Sequence, residues 1–141
     1  MIVYLVRHAR AGHRETWPGE DDTLRPLDER GLRQAETLVA QLADRDFTRI
    51  LSSPYLRCVQ SVEPLAKARG IPVEPVAALA EGAGKAVALE LFRSLDAPAV
   101  ADVHGDLVEA LLGETAKKGS TTVLEVGENG VEVLERLEPQ A

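Results

Sequence analysis

The stretch Tyr4–Gly12, YLVRHARAG, ends a run of apolar residues on an adjacent Arg-His pair. Residues 2–6 have the continuous apolar character of a strand that is buried on both faces. Arg7 and His8 follow this strand directly. Ligands bind at the carboxyl ends of strands in open α/β sheets. The pair therefore indicates a functional strand end.

Composition favours one domain that binds neither nucleic acid nor membranes. The chain has 141 residues, 45% of them hydrophobic, which is enough for one core over residues 1–141. Its net charge of −7 repels nucleic acid and acidic membranes, so an anionic substrate would need a locally basic pocket. No stretch is long and apolar enough to cross a membrane, and the first residues read as a strand and not as a signal peptide. We therefore expect a cytoplasmic protein.

Strand and helix patterns alternate along the chain. Strands are predicted at 1–7, 48–52, 71–76, 99–103, 121–126 and 131–137, and helices at 28–43, 53–70, 84–95 and 105–112. Asp28 is the expected cap of the first helix. Ser53 and Pro54 are the expected N-cap and first residue of the second, which Pro64 is expected to kink or split. The pattern predicts an α/β fold, with a mostly parallel central sheet covered on both faces and a final antiparallel hairpin at its edge.

Several polar side chains stand at the ends of predicted parallel strands. Arg7 and His8 end the first strand, Ser53 follows the second with Arg57 shortly after it, and His104 follows the fourth. Parallel strands place these ends at one edge of the sheet. Two arginines suit a phosphate, and nearby positive charge favours the neutral, nucleophilic form of a histidine. The constellation predicts phosphoryl transfer through a phosphohistidine.

The motifs LVRHA (5–9), SSPYLRCVQS (52–61) and VHGD (103–106) resemble the histidine phosphatase superfamily, which has the phosphoglycerate-mutase-like three-layer sandwich fold. The short chain and the RHA form are similar to the SixA-type branch, which is associated with phosphohistidine phosphatase activity. The stretches DDTLRPLDERGLRQAE (21–36) and KGSTTVLE (118–125) also look like the histidine phosphatase domain that some Nudix hydrolases carry. No Nudix box is present.

The resemblance implies a set of site residues. His8 would be the nucleophile, His104 the second histidine, and Arg7 and Arg57 the phosphate-binding arginines, with His104 also contacting the phosphate. Glu81 stands where larger family members place a proton donor. No cofactor or metal is implied, and the expected partner is a phosphorylated substrate, such as a phosphohistidine-bearing protein.

The sequence departs from the family pattern at two positions. Ala9 replaces the commoner Gly, and Ser61 stands where Thr is usual, which keeps the hydroxyl group.

Other polar residues have a functional and a structural interpretation. Asp21 and Asp22 resemble a metal-binding pair, and an acidic loop explains them equally well. Lys117 and Lys118 are either solvated charges or help to attract an anion. His13 is interpreted as an exposed loop residue, and Cys58 as a buried small residue. Arg10 could extend the basic pocket, and Trp17 could stack on a ligand or pack against the core.

Three functions stay open from the sequence. The first is a SixA-type phosphohistidine phosphatase, the second a phosphatase for a small phosphoester or nucleotide, and the third a non-catalytic phosphate-binding module. An open, shallow site is expected, because the chain has little room for an inserted lid. Such a site suits a protein-borne phosphohistidine or the end of a polyphosphate chain better than an enclosed sugar phosphate.

Overall fold

The computed structural model describes residues 1–141 and has a six-stranded sheet with helices on both faces. The strands are β1 (Ile2–Arg7), β2 (Arg49–Ser52), β3 (Val73–Pro75), β4 (Ala99–Val103), β5 (Thr121–Gly127) and β6 (Gly130–Leu137). The helices are α1 (Glu29–Gln41), α2 (Leu56–Arg69), α3 (Lys85–Arg93) and α4 (Gly105–Leu112). No helix has the length and apolar character needed to cross a membrane.

The sheet has the strand order β3-β2-β4-β1-β5-β6. The first four strands in this order pair in parallel, and β5 and β6 add an antiparallel hairpin beside β1. The mostly parallel sheet and its edge hairpin are thus confirmed. Because β1, β2 and β4 are adjacent and parallel, their carboxyl ends lie side by side.

Two cores fill the spaces between the sheet and its helices. Along β1, Val3 and Leu5 face α3 and α4, whereas Tyr4 and Val6 face α1 and α2. This alternation is the two-residue period of a strand that is covered on both faces. Strand β4 is buried at every position. The three-layer sandwich follows from these apolar runs, since neither face of the sheet can be left in water.

Helix α1 begins as the sequence predicts. Asp28 has an extended backbone, and its carboxylate accepts a hydrogen bond from the Gly31 amide. Gly31 packs directly against the chain that follows the Arg-His pair: a Cβ atom there would lie 1.9 Å from the carbonyl oxygen of Arg10. The helix therefore contacts the loop that leaves β1.

Helix α2 differs from the prediction at its start and at Pro64. It begins at Leu56, not at Pro54, because the Ser53 hydroxyl accepts from the Tyr55 amide in a local turn and also bonds a distant histidine. Pro64 does not split the helix, which runs unbroken to Arg69. Fully buried neighbours such as Val62 hold the helix against the sheet and offset the lost backbone bond.

One strand and one helix are shorter than predicted, and the predicted polar loop contains two short helical turns. The strand predicted at 71–76 covers only Val73–Pro75, and the helix predicted at 84–95 covers Lys85–Arg93. The polar loop between β1 and α1 contains two short helical turns, at Arg14–Thr16 and Asp22–Leu24. The second turn folds over the site described next.

Candidate active site

The adjacent carboxyl ends of β1, β2 and β4 bring the predicted polar residues together. Arg7 pairs in register with Val103, so His8 and His104 leave neighbouring strands at the same level. Their ring centroids are 5.5 Å apart. Arg57 comes from the first turn of α2 and is completely buried. Glu81 reaches the same place from the loop before α3, with a carboxylate oxygen 3.9 Å from both Arg57 and His104.

The imidazole of His8 is held in one tautomer. Its Nδ1 donates a hydrogen bond of 2.8 Å to the carbonyl oxygen of Ala9. A carbonyl can only accept, so the neutral ring carries its proton on Nδ1 and has a free lone pair on Nε2. Burial lowers the pKa of His8 to about 3, and the positive charge of Arg57 contributes in the same direction. His8 is therefore a neutral imidazole at pH 7.

The hydroxyl group of Ser61 links the His8 strand end to α2. It accepts from the Ala9 amide at 2.8 Å and donates to the Arg57 carbonyl oxygen at 2.6 Å. A serine is sufficient for both bonds, since only the hydroxyl is used. The methyl group of Ala9 is accommodated too, with the residue 2% exposed. Both departures from the family pattern thus leave the local geometry intact.

His104 is fixed from the side opposite to Glu81. Its Nε2 lies 2.8 Å from the Ser53 hydroxyl, which accepts from the Tyr55 amide and so has its own proton free for the ring. When the Ser53 hydroxyl donates to Nε2, the neutral ring carries its proton on Nδ1, which lies 3.9 Å from a Glu81 oxygen. Burial lowers the pKa of His104 to about 4, and the charge of Arg57 adds to the effect. The sequence predicted neutral histidines because of nearby positive charge, whereas burial is the larger cause.

Cys58 is buried beneath His104, as the sequence suggested. Its sulfur lies 3.6 Å from His104 Nε2. Burial raises the pKa of this thiol well above its usual value, so it stays protonated. Asp102 lies on β4 and is fully buried, and neither of its carboxylate oxygens has a hydrogen-bond partner. Burial raises the pKa of Asp102 well above its usual value.

The two arginines are held in different ways. The Arg7 guanidinium packs on Gly105, where a Cβ atom would come within 2.9 Å of it, and donates to the carbonyl oxygen of Ala116. Arg57 donates to the Asp22 carbonyl oxygen at 2.8 Å, and its Nη2 lies 3.2 Å from an Asp22 carboxylate oxygen. The Nε atoms of both arginines, and Nδ1 of His104, are buried without a hydrogen-bond partner.

Asp22 is a functional-site residue that the sequence did not identify. Besides Arg57, its carboxylate pairs with Arg14 at 3.3 Å and with Arg25 at 2.9 Å. Asp21 instead accepts from the Thr23 amide and caps the short turn. Each carboxylate has its own separate partners, which favours the acidic-loop interpretation of these two aspartates over a metal-binding pair. No group of three or more metal-ligating side chains exists in the structure.

Arg14 connects Asp22 to Glu81. Its Nη2 donates to both Glu81 oxygens, at 3.1 and 3.2 Å. The short turn at Asp22–Leu24 and the loop that carries Glu81 are thereby joined over Arg57. Long-range pairs of this kind have no local sequence signal. A loop rich in both acids and arginines, as at residues 10–25, is the only hint of them.

The site opens into a cavity of about 530 Å³. None of its 14 lining residues is hydrophobic, and besides Arg7 and Arg57 they include Arg14, Arg25 and Lys118. His13 also lines it, although its side chain is exposed as predicted. His104 does not line it and is 1% exposed at the back of the site. Trp17 lines a separate groove, and Arg10 lines a second groove that shares Lys118 with this cavity.

Comparisons with known proteins agree with this geometry. A sequence profile described as the histidine phosphatase superfamily (branch 1) matches residues 3–140. A segment of 65 residues, 46% of the chain, is 49% identical to the 8-oxo-(d)GTP phosphatase of Mycolicibacterium smegmatis. The matched segments make up about a fifth of the length of the curated relatives, 20% in this case.

Solved structures share the whole fold. The protein histidine phosphatase SixA complexed with tungstate superposes with a TM-score of 0.82 at 22% identity, over 99% of this chain and 97% of that one. The Agrobacterium tumefaciens protein assigned as phosphohistidine phosphatase SixA gives a TM-score of 0.79 at 28% identity, over 98% and 97% of the two chains. The phosphoglycerate-mutase-like fold predicted from the motifs is thus confirmed.

Proposed function

The chain belongs to the histidine phosphatase superfamily, and from this premise we propose that it is a phosphatase working through a phosphohistidine intermediate. One observation carries the proposal. Nε of Arg7, Nε of Arg57 and Nδ1 of His104 are buried without partners, the two arginines line the same cavity as His8, and the His104 ring centroid is 5.5 Å from that of His8. An unpaired buried donor costs roughly 1–3 kcal/mol. A phosphoryl group bound next to Nε2 of His8 has several oxygens that could accept hydrogen bonds from these donors and so remove this cost.

In the first step, Nε2 of His8 attacks phosphorus. The new P–N bond forms while the bond from phosphorus to the leaving group breaks. Arg7 and Arg57 hold the phosphoryl oxygens, and the Nδ1 proton of His104 is donated to them as negative charge develops. Because the attacking imidazole is neutral, no proton has to be removed from Nε2 first.

In the second step, water attacks phosphorus and the P–N bond breaks. Phosphate leaves, and His8 returns to its neutral form with the proton on Nδ1. Glu81 is the proposed proton carrier: it gives a proton to an alkoxide leaving group in the first step and takes one from water in the second. Its oxygens are shared with Arg14, so Arg14 sets its position.

The first substrate candidate is a phosphohistidine on a partner protein. The cavity is open and has no hydrophobic side chain in its lining to contact a sugar or a base, whereas small-molecule sites are lined mainly by apolar and aromatic groups. An imidazole leaving group also makes little demand on Glu81, because it leaves readily or is protonated from solvent. The similarity to SixA proteins supports this candidate.

The second candidate is the terminal phosphate of a nucleotide or other small phosphoester. It is favoured by the segment that is 49% identical to an 8-oxo-(d)GTP phosphatase. It also fits a site whose lining is rich in arginine and lysine.

One domain over residues 1–141, a cytoplasmic location and the absence of a cofactor remain predictions.

Side-by-side turnover tests the function and separates the candidates. We would measure kcat/KM on a phosphohistidine peptide, a nucleoside diphosphate, a nucleoside monophosphate and a sugar phosphate. The proposal expects turnover of at least one, lost in His8→Ala. A wild-type protein that binds phosphate and hydrolyses none of them would instead be the non-catalytic module. His13→Ala is the matched control, since His13 is exposed at the edge of the same cavity.

A further inference from the structure

A second basic groove adjoins the active-site cavity. It has a volume of about 330 Å³, and its lining residues are Arg10, Arg30, Gln34, Lys117, Lys118 and Pro139. No carboxylate is among them, although the chain as a whole has a net charge of −7. Lys118 lines both the groove and the cavity, so the two are neighbours that share its side chain.

The buried side chain of Gln34 holds the two sides of this groove together. Its Oε1 accepts from the Arg10 amide at 3.0 Å, and its Nε2 donates to the carbonyl oxygen of Lys118 at 3.3 Å. The same Nε2 donates to an oxygen of Ala141 at the rim. Gln34 is 5% exposed. A buried amide that bonds both backbones fixes Arg10 and Lys118 on facing walls.

Lys118 is also fixed to the nucleophile's own strand end. The amide of the next residue, Gly119, donates to the carbonyl oxygens of Arg7 and His8 at 3.0 and 3.1 Å. Gly119 has a φ of +84°, and a Cβ atom there would come within 2.9 Å of the Gln34 amide. The turn that carries Lys118 is therefore built tightly against the reacting histidine, and its lysine is not a free surface charge.

The chain neutralises the positive charge of this groove only in part. Arg10 lies 3.9 Å from Asp28 and Lys117 lies 3.1 Å from Glu138, whereas Lys118 and Arg30 have no carboxylate within 4 Å. Burial lowers the pKa of Lys118, and the charges of Arg7, Arg10 and Arg25 act in the same direction. Cations held together without a counter-charge favour the binding of an anion.

We propose that Arg10, Arg30 and Lys118 form a second anion subsite, which takes the phosphate group next to the one that His8 removes. This inference rests on the proposed function, and it narrows the substrate class to molecules with two or more linked phosphates. The leaving group would then be a phosphate anion held by Lys118. No aromatic side chain lines the groove, so the subsite recognises the negative charge of a phosphate group and not a nucleobase.

Binding of inorganic anions tests the subsite without any turnover. Phosphate, pyrophosphate and tripolyphosphate are titrated calorimetrically at fixed ionic strength and without metal ions, since salt screens exposed charges. We expect tripolyphosphate to bind about tenfold or more tighter than phosphate. Arg30→Ala and the double variant Arg10→Ala with Lys118→Ala should remove most of that gain. Lys67→Ala deletes an exposed lysine that lines neither cavity and is the matched control.

A kinetic arm separates this inference from the proposed function. The ratio of kcat/KM for a nucleoside diphosphate to that for the monophosphate should fall about tenfold in the groove variants. If the affinity for polyphosphates rises with their length and depends on the groove residues, but no substrate is hydrolysed, the phosphatase proposal is wrong and the subsite proposal is supported. Hydrolysis with binding and ratios unaffected by Arg30→Ala and by the double variant overturns the subsite alone. An acidic peptide that binds the groove tighter than tripolyphosphate overturns the substrate class.

Discussion

The neutral state of the two buried histidines should appear as a pH dependence of stability. The pKa values of His8 and His104, lowered to about 3 and about 4, lie below the ordinary value of about 6.5. Near pH 5 both histidines are neutral in the folded protein and protonated in the unfolded chain. Each therefore makes the free energy of unfolding rise with pH by about 1.4 kcal/mol per unit between pH 4.5 and 6.

Asp102 acts in the opposite direction. Burial raises the pKa of its carboxyl, which favours the protonated form in the folded protein, whereas the unfolded chain loses this proton above the ordinary pKa of about 3.9. The folded state then binds more protons than the unfolded state, so this group makes stability fall with pH, by up to about 1.4 kcal/mol per pH unit. The two histidines together contribute a slope of up to about +2.7 kcal/mol per pH unit near pH 5, and Asp102 reduces it.

Single substitutions separate these contributions. His8→Gln should lower the slope near pH 5 by about 1.4 kcal/mol per pH unit relative to the wild type, and Asp102→Asn should raise it. Urea unfolding followed by circular dichroism at half-unit steps from pH 4.5 to 6 measures the slopes. Contributions from the surface carboxylates are common to all variants and cancel in the differences. A His8→Gln variant that keeps the wild-type slope would refute the neutral, buried nucleophile.

Three further predictions follow from the site. Activity should persist in excess chelator, because arginine and histidine supply the positive charge, and loss restored by a divalent cation would contradict this. Glu81→Gln should slow alkyl phosphates about 10²–10⁴-fold and aryl phosphates or phosphohistidine much less, whereas an equal loss on every substrate would exclude the proton-carrier role. Gly31→Ala should lower the melting temperature, because its Cβ would meet the Arg10 carbonyl oxygen at 1.9 Å, and a value no lower than that of Gly127→Ala, whose Cβ would make only a 3.8 Å contact, would contradict this.

The positions of the strands and the mostly parallel sheet could be predicted from the sequence because each strand carries its own signal. The apolar runs before Arg7, Ser53 and His104 mark three parallel strand ends, and Asp28 marks a helix start through a local hydrogen bond. These features depend on neighbours in the chain. The juxtaposition of the two histidines follows from them, since adjacent parallel strands end at one edge.

Features that depend on distant partners could not be predicted. Ser53 does not cap α2 because its hydroxyl is shared with His104, 51 residues away. Asp22 meets Arg57 only after its loop folds over α2. The sequence does not decide whether Lys118 is a solvated charge or attracts an anion, because its surroundings depend on Gln34, 84 residues earlier in the chain. Burial, which dominates the histidine pKa values, also becomes visible only once the layers are assembled.

Trapping the covalent intermediate tests the central claim most directly. The enzyme is mixed with substrate, quenched at alkaline pH because the P–N bond is labile in acid, and digested for mass spectrometry. The account predicts phosphate on the imidazole of His8 and nowhere else, with none in His8→Asn. Phosphate on another residue, or turnover that survives the substitution of His8, would contradict it.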